Sequence, residues 1–413
     1  MKAVIISIGD ELLIGQVVNT NASFIAQQLN RVGIQIHRVV AVGDDLTEIL
    51  NTFQVEYASH DVIIITGGLG PTHDDITRTA VCKFFNTELV HDAEARANVE
   101  RIMKTLNRPW TASAEDQTLI PRGAKVIPNK LGTAPGEFFE RDGKYFFVMP
   151  GVPYEMEAMV KDFIVPFFEK KQSGTFIVHR TLRTTGIPES ALAERLGNLD
   201  EILQGASLAF LPSVSGVRLR ITATDSDRTA CEKKILEVES RIRSKAEKFI
   251  YGINDEELEQ VVGRLLTDKN LTLSVAESCT GGMIAHILTN VPGSSEYFDR
   301  GVVTYSNKSK TQILNVPAEL IEQHGAVSSE VAKEMARGIR TISETSIGLS
   351  TTGIAGPSGG SPEKPVGLVW IGYADAQETI ALKFQFGNDR IRIKERASFA
   401  AIELIRRKLL QIT

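Results

Sequence analysis

The segment Ser274-Val-Ala-Glu-Ser-Cys-Thr-Gly-Gly282 holds two potential nucleophiles, Ser278 and Cys279. A strand ending near Ala276 and a helix starting near Gly281 put both on a strand-to-helix turn. Backbone N–H groups at such a turn stabilise an anion or an oxyanion. This is not the G-x-S-x-G elbow. The competing readings are a helix cap for Ser278 and simple burial for Cys279. A nucleophile needs a base, and neither His286 nor His324 is well placed for that task. A lysine is a better candidate, because Thr304-Tyr-Ser-Asn-Lys-Ser-Lys310 follows a strand and reaches the same sheet edge. A desolvated lysine with a lowered pKa can take a serine proton. Lys308 and Lys310 both qualify, with Tyr305 to assist, and the bland alternative for each lysine is an exposed solubilising charge. Thr351-Thr-Gly-Ile-Ala-Gly-Pro-Ser-Gly-Gly360 brings hydroxyls and close-approach backbone to that edge. It suits a phosphate, although no G-K-[ST] follows as in a Walker A loop.

A second set lies near the N-terminus, in three turns that follow strand ends: Gly9-Asp10-Glu11, Gly43-Asp44-Asp45 and Thr66-Gly-Gly-Leu-Gly-Pro-Thr-His-Asp-Asp75. Ligands of open α/β sheets sit at the carboxyl ends of strands. Gly67, Gly68 and Gly70 let backbone approach a phosphate, with Thr72 beside them. Asp74 and Asp75 could hold a divalent metal that bridges phosphate oxygens, or could cap the next helix. His73 is as readily a turn residue as a functional one. Asn19 and Asn21 could read a ribose or base, or cap a helix starting near Ser23. Asn129-Lys-Leu-Gly-Thr-Ala-Pro-Gly136 is a loop able to close over a ligand.

These turns need strands and helices to hold them. Val4 to Ile8 and Asp61-Val-Ile-Ile-Ile-Thr66 are continuous apolar runs, as buried parallel strands require. Helical patterns alternate with them, so the first segment has βαβαβα order and a doubly wound sheet is expected. After Phe146-Phe-Val-Met149 a helix carries Met156, Met159, Val160 and Phe163 as core. Residues from about Thr175 to Tyr251 read strand, helix, strand, strand, long helix, a small α+β unit. Lys170 to Gly174 and Tyr251 to Asn254 read as linkers around it. The remainder is again α/β. The expected fold class is α/β, with two three-layer α/β/α domains (1–170 and 254–413) joined by the α+β unit (175–250). No repeat of fixed period is found.

The chain has 413 residues, 42% hydrophobic and 23% charged, with a net charge of −5. That composition excludes general disorder and a disulfide scaffold. Mild acidity argues against a whole-protein nucleic-acid binder. No apolar run reaches the roughly 18 residues of a membrane span. The start, MKAVIISIGDELL, reads as a strand rather than a signal peptide. Three distant cysteines, Cys82, Cys231 and Cys279, fit a reducing cytoplasm.

In its motifs the chain resembles the CinA family over essentially its whole length. Gly9-Asp-Glu-Leu-Leu, Thr66 to Thr77 and Gly132-Thr-Ala-Pro-Gly136 resemble the molybdopterin-binding, MoaB/MogA-like fold. Ala276-Glu-Ser-Cys-Thr-Gly-Gly282, Val303-Thr-Tyr-Ser-Asn307, Gly325-Ala-Val-Ser328 and Thr352-Gly-Ile-Ala-Gly-Pro357 resemble the nicotinamide mononucleotide deamidases. The middle unit occupies the place of a KH-like domain but lacks the G-x-x-G clamp, so nucleic acid is not an expected partner. The resemblance implies hydrolysis of nicotinamide mononucleotide to nicotinate mononucleotide and ammonia without a cofactor. Ser278 stands at the nucleophile position and Lys310 at the base position, with Tyr305 and Thr352 beside them. Glu277, Cys279, Thr280, Gly281, Gly282, Gly353, Ala355 and Gly356 form the implied substrate-binding turns. The Gly281 turn would hold the oxyanion, and Arg390 and Arg396 would meet the phosphate. For the first domain the resemblance implies a metal-dependent ADP-ribose pyrophosphatase, with Asp10, Asn19, Asn21, Asp44, Gly67, Gly68, Gly70, Thr72 and Asn129 at the ligand and Asp74 and Asp75 at the metal. Two alternatives stay open: a regulatory or nucleotide-sensing protein of competence or DNA damage, and a first domain that binds a molybdopterin-type ligand without hydrolysis. A cytoplasmic homodimer is the expected state.

Overall fold

The computed structural model describes residues 1–70, 75–171 and 176–412. Thr72, His73 and Asp74 therefore lie outside the described residues. The chain divides into two compact units, Met1–Val178 with Thr224–Cys231, and His179–Ala223 with Glu232–Thr413.

In the first unit, β1 (Lys2–Ile8), β2 (Gln35–Val42) and β3 (Val62–Thr66) are followed by a short ribbon of β4 (Leu89–His91) and β5 (Leu119–Pro121). β6 (Lys125–Ile127), β7 (Gly136–Arg141) and β8 (Lys144–Met149) complete a six-stranded sheet of order β2-β1-β3-β8-β7-β6. β2, β1, β3 and β8 are parallel, whereas the edge pairings β8–β7 and β7–β6 are antiparallel. Successive residues of β1 feed opposite layers. Ala3 and Ile5 pack with Ile25 and Leu29 of the helix Thr20–Arg31, and Val4, Ile6 and Ile8 pack with Ile49 and Phe53 of the helix Leu46–Ser59. Such two-sided burial is why the strands are apolar throughout. Met156, Met159 and Val160 are fully buried in the first of these layers, as expected for core.

The small α+β segment holds β9 (Phe176–Thr184), β10 (Ser207–Pro212), β11 (Val217–Asp225) and β12 (Ile250–Ile253) in the order β10-β11-β9-β12. β11 alternates buried Val217, Leu219 and Ile221 with exposed Arg218 and Arg220, the mark of a half-buried strand. β12 corrects the linker reading of Tyr251 to Asn254. Gly252 and Ile253 pair with Arg183 and Leu182, and the turn comes only at Asn254, with φ of 52°.

The C-terminal sheet comprises β13 (Leu273–Glu277), β14 (Phe298–Val303), β15 (Ile347–Gly353), β16 (Leu368–Ala374) and β17 (Thr379–Gln385), in the order β14-β13-β15-β16-β17. Only β14, β13 and β15 are parallel. The helices Leu258–Asp268, Met283–Thr289 and Arg390–Leu409 cover one face, and Ser329–Ser343 and its neighbours cover the other. Glu277 is in register with Val303 and Thr351, so three strand ends open on one edge. Among the described residues no helix is long and apolar enough to cross a membrane.

Candidate functional site

The C-terminal strand ends bring the sequence-derived residues together. Ser278 follows β13 directly, and its N–H donates to Thr351 O at 3.0 Å. Lys310 lies on the helix Asn307–Leu314 and is 1% exposed. Its Nζ donates to Ser278 Oγ at 3.1 Å, Thr304 O at 2.8 Å and Tyr305 O at 3.5 Å. Burial holds the Lys310 ammonium below the usual lysine range, and the neighbouring Cys279 opposes the shift. Lys308 is exposed, because two residues along a helix face opposite sides. Geometry thus separates the two lysines that the sequence left equal. Cys279 is buried, and burial pushes its thiol up to about 12, which keeps the sulfur protonated and poorly nucleophilic.

A cavity of about 190 Å³ opens here, lined by Ser278, Cys279, Tyr305, Asn307, Lys310, Ala326, Val327, Thr352, Gly353, Ala355 and Arg390. The Thr352 hydroxyl donates to Ala326 O at 2.7 Å and so fixes one wall. Arg390 donates to the Tyr305 hydroxyl at 3.0 Å and to Gly356 O at 2.6 Å, tying the rim together. Asn307, Ala326 and Val327 lie in motifs that carry the family resemblance but were not named there as site residues. Ser328 caps the helix Ser329–Ser343, which signals that residues 325–327 form a turn at the sheet edge.

Other expected contacts sit elsewhere. The Glu277 carboxylate turns away from the cavity and accepts N–H groups of Gly282, Ile284 and Ala285. Thr280 bonds Thr351 through their hydroxyls at 2.7 Å. Gly281 and Gly282 do not offer free donors to an oxyanion. The first N–H goes to Ser278 O at 3.2 Å and the second to Glu277 at 2.9 Å. Gly356 contributes its carbonyl to Arg390 rather than to the lining, and Arg396 is exposed outside it.

The first unit has a cavity of about 430 Å³ at the carboxyl edge of its sheet. Asn19, Asn21, Asp44, Gly67, Gly68, Gly70 and Asp75 line it. Gly67 and Gly68 have φ of +111° and +66°, and a Cβ on either would lie 2.1 Å from Ile8 O or Thr77 Oγ1. Only glycine fits both positions. Asn19 caps the helix at Thr20, earlier than the sequence suggested, and Asn21 donates to Gly151 O at 2.7 Å. Asp10 is outside the lining: it and Asp44 accept each other's backbone N–H at 3.1 and 3.0 Å. Asn129 is fully buried and braces its own loop through Ala134 O, Leu131 N and Gly132 N. Glu155, which the sequence reading missed, lines the cavity and accepts from Asn129 at 2.6 Å. Its place in the first turn after Pro153 was the available signal. Asp75 accepts the Gly70 N–H at 2.8 Å. Among the described residues no three His, Cys, Asp or Glu side chains are grouped to hold a metal; of the two expected ligands Asp75 lines the cavity and Asp74 lies outside the described residues.

Comparison with known proteins accounts for nearly the whole chain. Residues 4–170 match a family described as a probable molybdopterin binding domain, 179–252 the damage-inducible protein CinA KH domain, and 255–409 the CinA C-terminal domain. A CinA-like protein of Salinibacter ruber is 44% identical over 411 residues, covering 99% of this chain and 100% of that one. A CinA-like protein of Chloroherpeton thalassium is 43% identical over 418 residues, covering 99% of each chain. The solved competence/damage inducible protein CihA of Agrobacterium tumefaciens is 37% identical over 38% of this chain and 98% of its own, with a TM-score of 0.36. With three domain families matched in order and full-length relatives above 40% identity, the chain belongs to the CinA-like family of competence-damage inducible proteins.

Proposed function

We propose that the C-terminal cavity hydrolyses the carboxamide of nicotinamide mononucleotide, giving nicotinate mononucleotide and ammonia. The observation that carries this reading is the buried Lys310 amine 3.1 Å from Ser278 Oγ, inside hydrogen-bond reach of a base and its nucleophile. The substrate comes from the resemblance of the C-terminal motifs to the deamidases.

A neutral lysine has two N–H bonds and one lone pair. With Thr304 O at 2.8 Å and Tyr305 O at 3.5 Å taking the N–H bonds, the lone pair is left for the Ser278 hydroxyl. Lys310 then takes the hydroxyl proton as Oγ bonds to the carboxamide carbon and the carbonyl pair moves onto oxygen. Collapse re-forms the C=O bond and breaks C–N, and Lys310 returns its proton to the departing nitrogen, which leaves as ammonia. Water repeats the sequence: Lys310 takes its proton, its oxygen adds to the ester carbon, and Ser278 recovers the proton as the ester C–O bond breaks. Arg390 at the rim is the cation suited to the substrate phosphate. The test is ammonia release from nicotinamide mononucleotide by the wild type and by Ser278→Ala.

For the first unit we infer a pyrophosphate-bearing nucleotide ligand, ADP-ribose in particular, on the strength of the cavity of about 430 Å³ at the carboxyl edge of its sheet, lined by Asn19, Asn21, Gly67, Gly68 and Gly70. Hydrolysis there with a divalent metal is part of this reading. It is tested by ADP-ribose turnover with and without added magnesium and with a chelator.

A further inference from the structure

We propose that Glu277 is a positioning residue for Ser278: its buried carboxylate closes the turn carrying the nucleophile. Its catalytic readout rests on the amide-hydrolysis reading above. The family resemblance implied a substrate contact for Glu277, yet the side chain is 1% exposed and absent from the cavity lining. Both carboxylate oxygens are engaged: one accepts Gly282 N at 2.9 Å and Ile284 N at 3.2 Å, the other Ala285 N at 2.9 Å. These are the N–H groups that begin the helix Met283–Thr289, which have no partner within the helix itself.

The same residue holds both halves of the catalytic pair. Through its side chain it closes the loop 277–282, where Gly281 and Gly282 take φ of +63° and +93°. Ser278 sits within that loop and is tied across it by Gly281 N to Ser278 O at 3.2 Å. Through its backbone, Glu277 O accepts Thr304 N at 2.8 Å, and Thr304 O in turn accepts Lys310 Nζ. Nucleophile and base are thus registered to one residue.

The test compares wild type, Glu277→Gln and Glu277→Asp by three readouts: the labelling rate of Ser278 by a fluorophosphonate probe, kcat and KM for ammonia release from nicotinamide mononucleotide, and hydrogen exchange of the Gly282, Ile284 and Ala285 amides. A displaced nucleophile costs up to about 100-fold. Glu277→Gln is expected to lower labelling and kcat by about 10- to 100-fold, to leave KM within about twofold, and to speed exchange at the three amides. Glu277→Asp keeps the charge and recovers part of the rate. If Glu277→Gln does not fold, the Asp variant is read for the same slower labelling and faster exchange. Unchanged labelling and kcat, or a raised KM with kcat intact, would overturn the proposal. A wild type that labels but releases no ammonia would refute the substrate, and labelling would still decide the role of Glu277. A wild type that does neither would refute the nucleophile, and exchange at the three amides would then decide whether Glu277 holds the turn.

Discussion

Replacing Lys310 by Met tests the base through two readouts of opposite origin. Met fills most of the same volume but has no amine. General-base catalysis contributes about 10²–10⁴-fold, equivalent to about 2.7–5.5 kcal/mol of barrier at 1.36 kcal/mol per tenfold. Ammonia release should fall by that factor with the fold intact. The wild-type rate should rise with pH along a limb that lies below the usual lysine pKa, because burial lowers the folded value. An ordinary lysine is only about 0.1% neutral at pH 7.4, and each unit of lowering gives about tenfold more free amine. Stability carries the same proton. Between the folded pKa and about 10.4 the unfolded chain binds more protons at this site than the folded one, so folding is favoured as pH rises through that window. Below it, folding must bury the ammonium or discharge it. Wild type should therefore gain stability relative to Lys310→Met as pH rises from the lowered folded pKa toward about 10.4. The assay is coupled ammonia release and urea unfolding of both proteins across pH 6–10. A variant within about threefold of wild type, or a wild-type rate flat across that range, would refute the assignment.

Three further outcomes follow from other residues. Cys279→Ala should keep kcat within about twofold, since a thiol pushed up to about 12 supplies almost no thiolate at neutral pH; a loss of tenfold or more would make the sulfur the nucleophile. Gly68→Ala puts a Cβ 2.1 Å from Thr77 Oγ1 at φ of +66°. It should cost about 1–3 kcal/mol in unfolding of the first unit and abolish ADP-ribose binding by calorimetry, with ammonia release unchanged. Glu137 is fully buried beside Arg78 at 3.2 Å, and burial raises its carboxyl to about 7. The folded state then binds more protons than the unfolded one between about pH 4.3 and 7, so wild-type stability should fall as pH rises across that window; in Glu137→Gln that fall should be absent from the urea midpoints.

The layers were legible because their signals are local and periodic. The unbroken Val62-Ile-Ile-Ile-Thr66 run declared a strand buried on both faces, and β9 and the helix Glu189–Leu196 fall where the pattern put them. β12 was not legible, because Gly252 and Asn254 carry turn signals and the strand exists only by pairing with distant β9. The antiparallel half of the C-terminal sheet was hidden for a similar reason: apolar strands read alike in either direction. At the site, chain order placed Ser278, the Lys308–Lys310 segment and Thr352 on one edge, but the helix Asn307–Leu314 was needed to choose between the lysines. Carboxylate roles were the hardest to read. Asp10, Asp44 and Glu277 all accept backbone N–H groups at turns, and a carboxylate bound to its own turn has the same sequence signature as one waiting for a ligand.

The most direct test of the central claim is ammonia release from nicotinamide mononucleotide by wild type and Ser278→Ala, with circular dichroism to confirm both folds. The account predicts stoichiometric ammonia and nicotinate mononucleotide from the wild type and a loss of at least about 10³-fold in the variant. Release that survives Ser278→Ala, or none from a folded wild type, would contradict it.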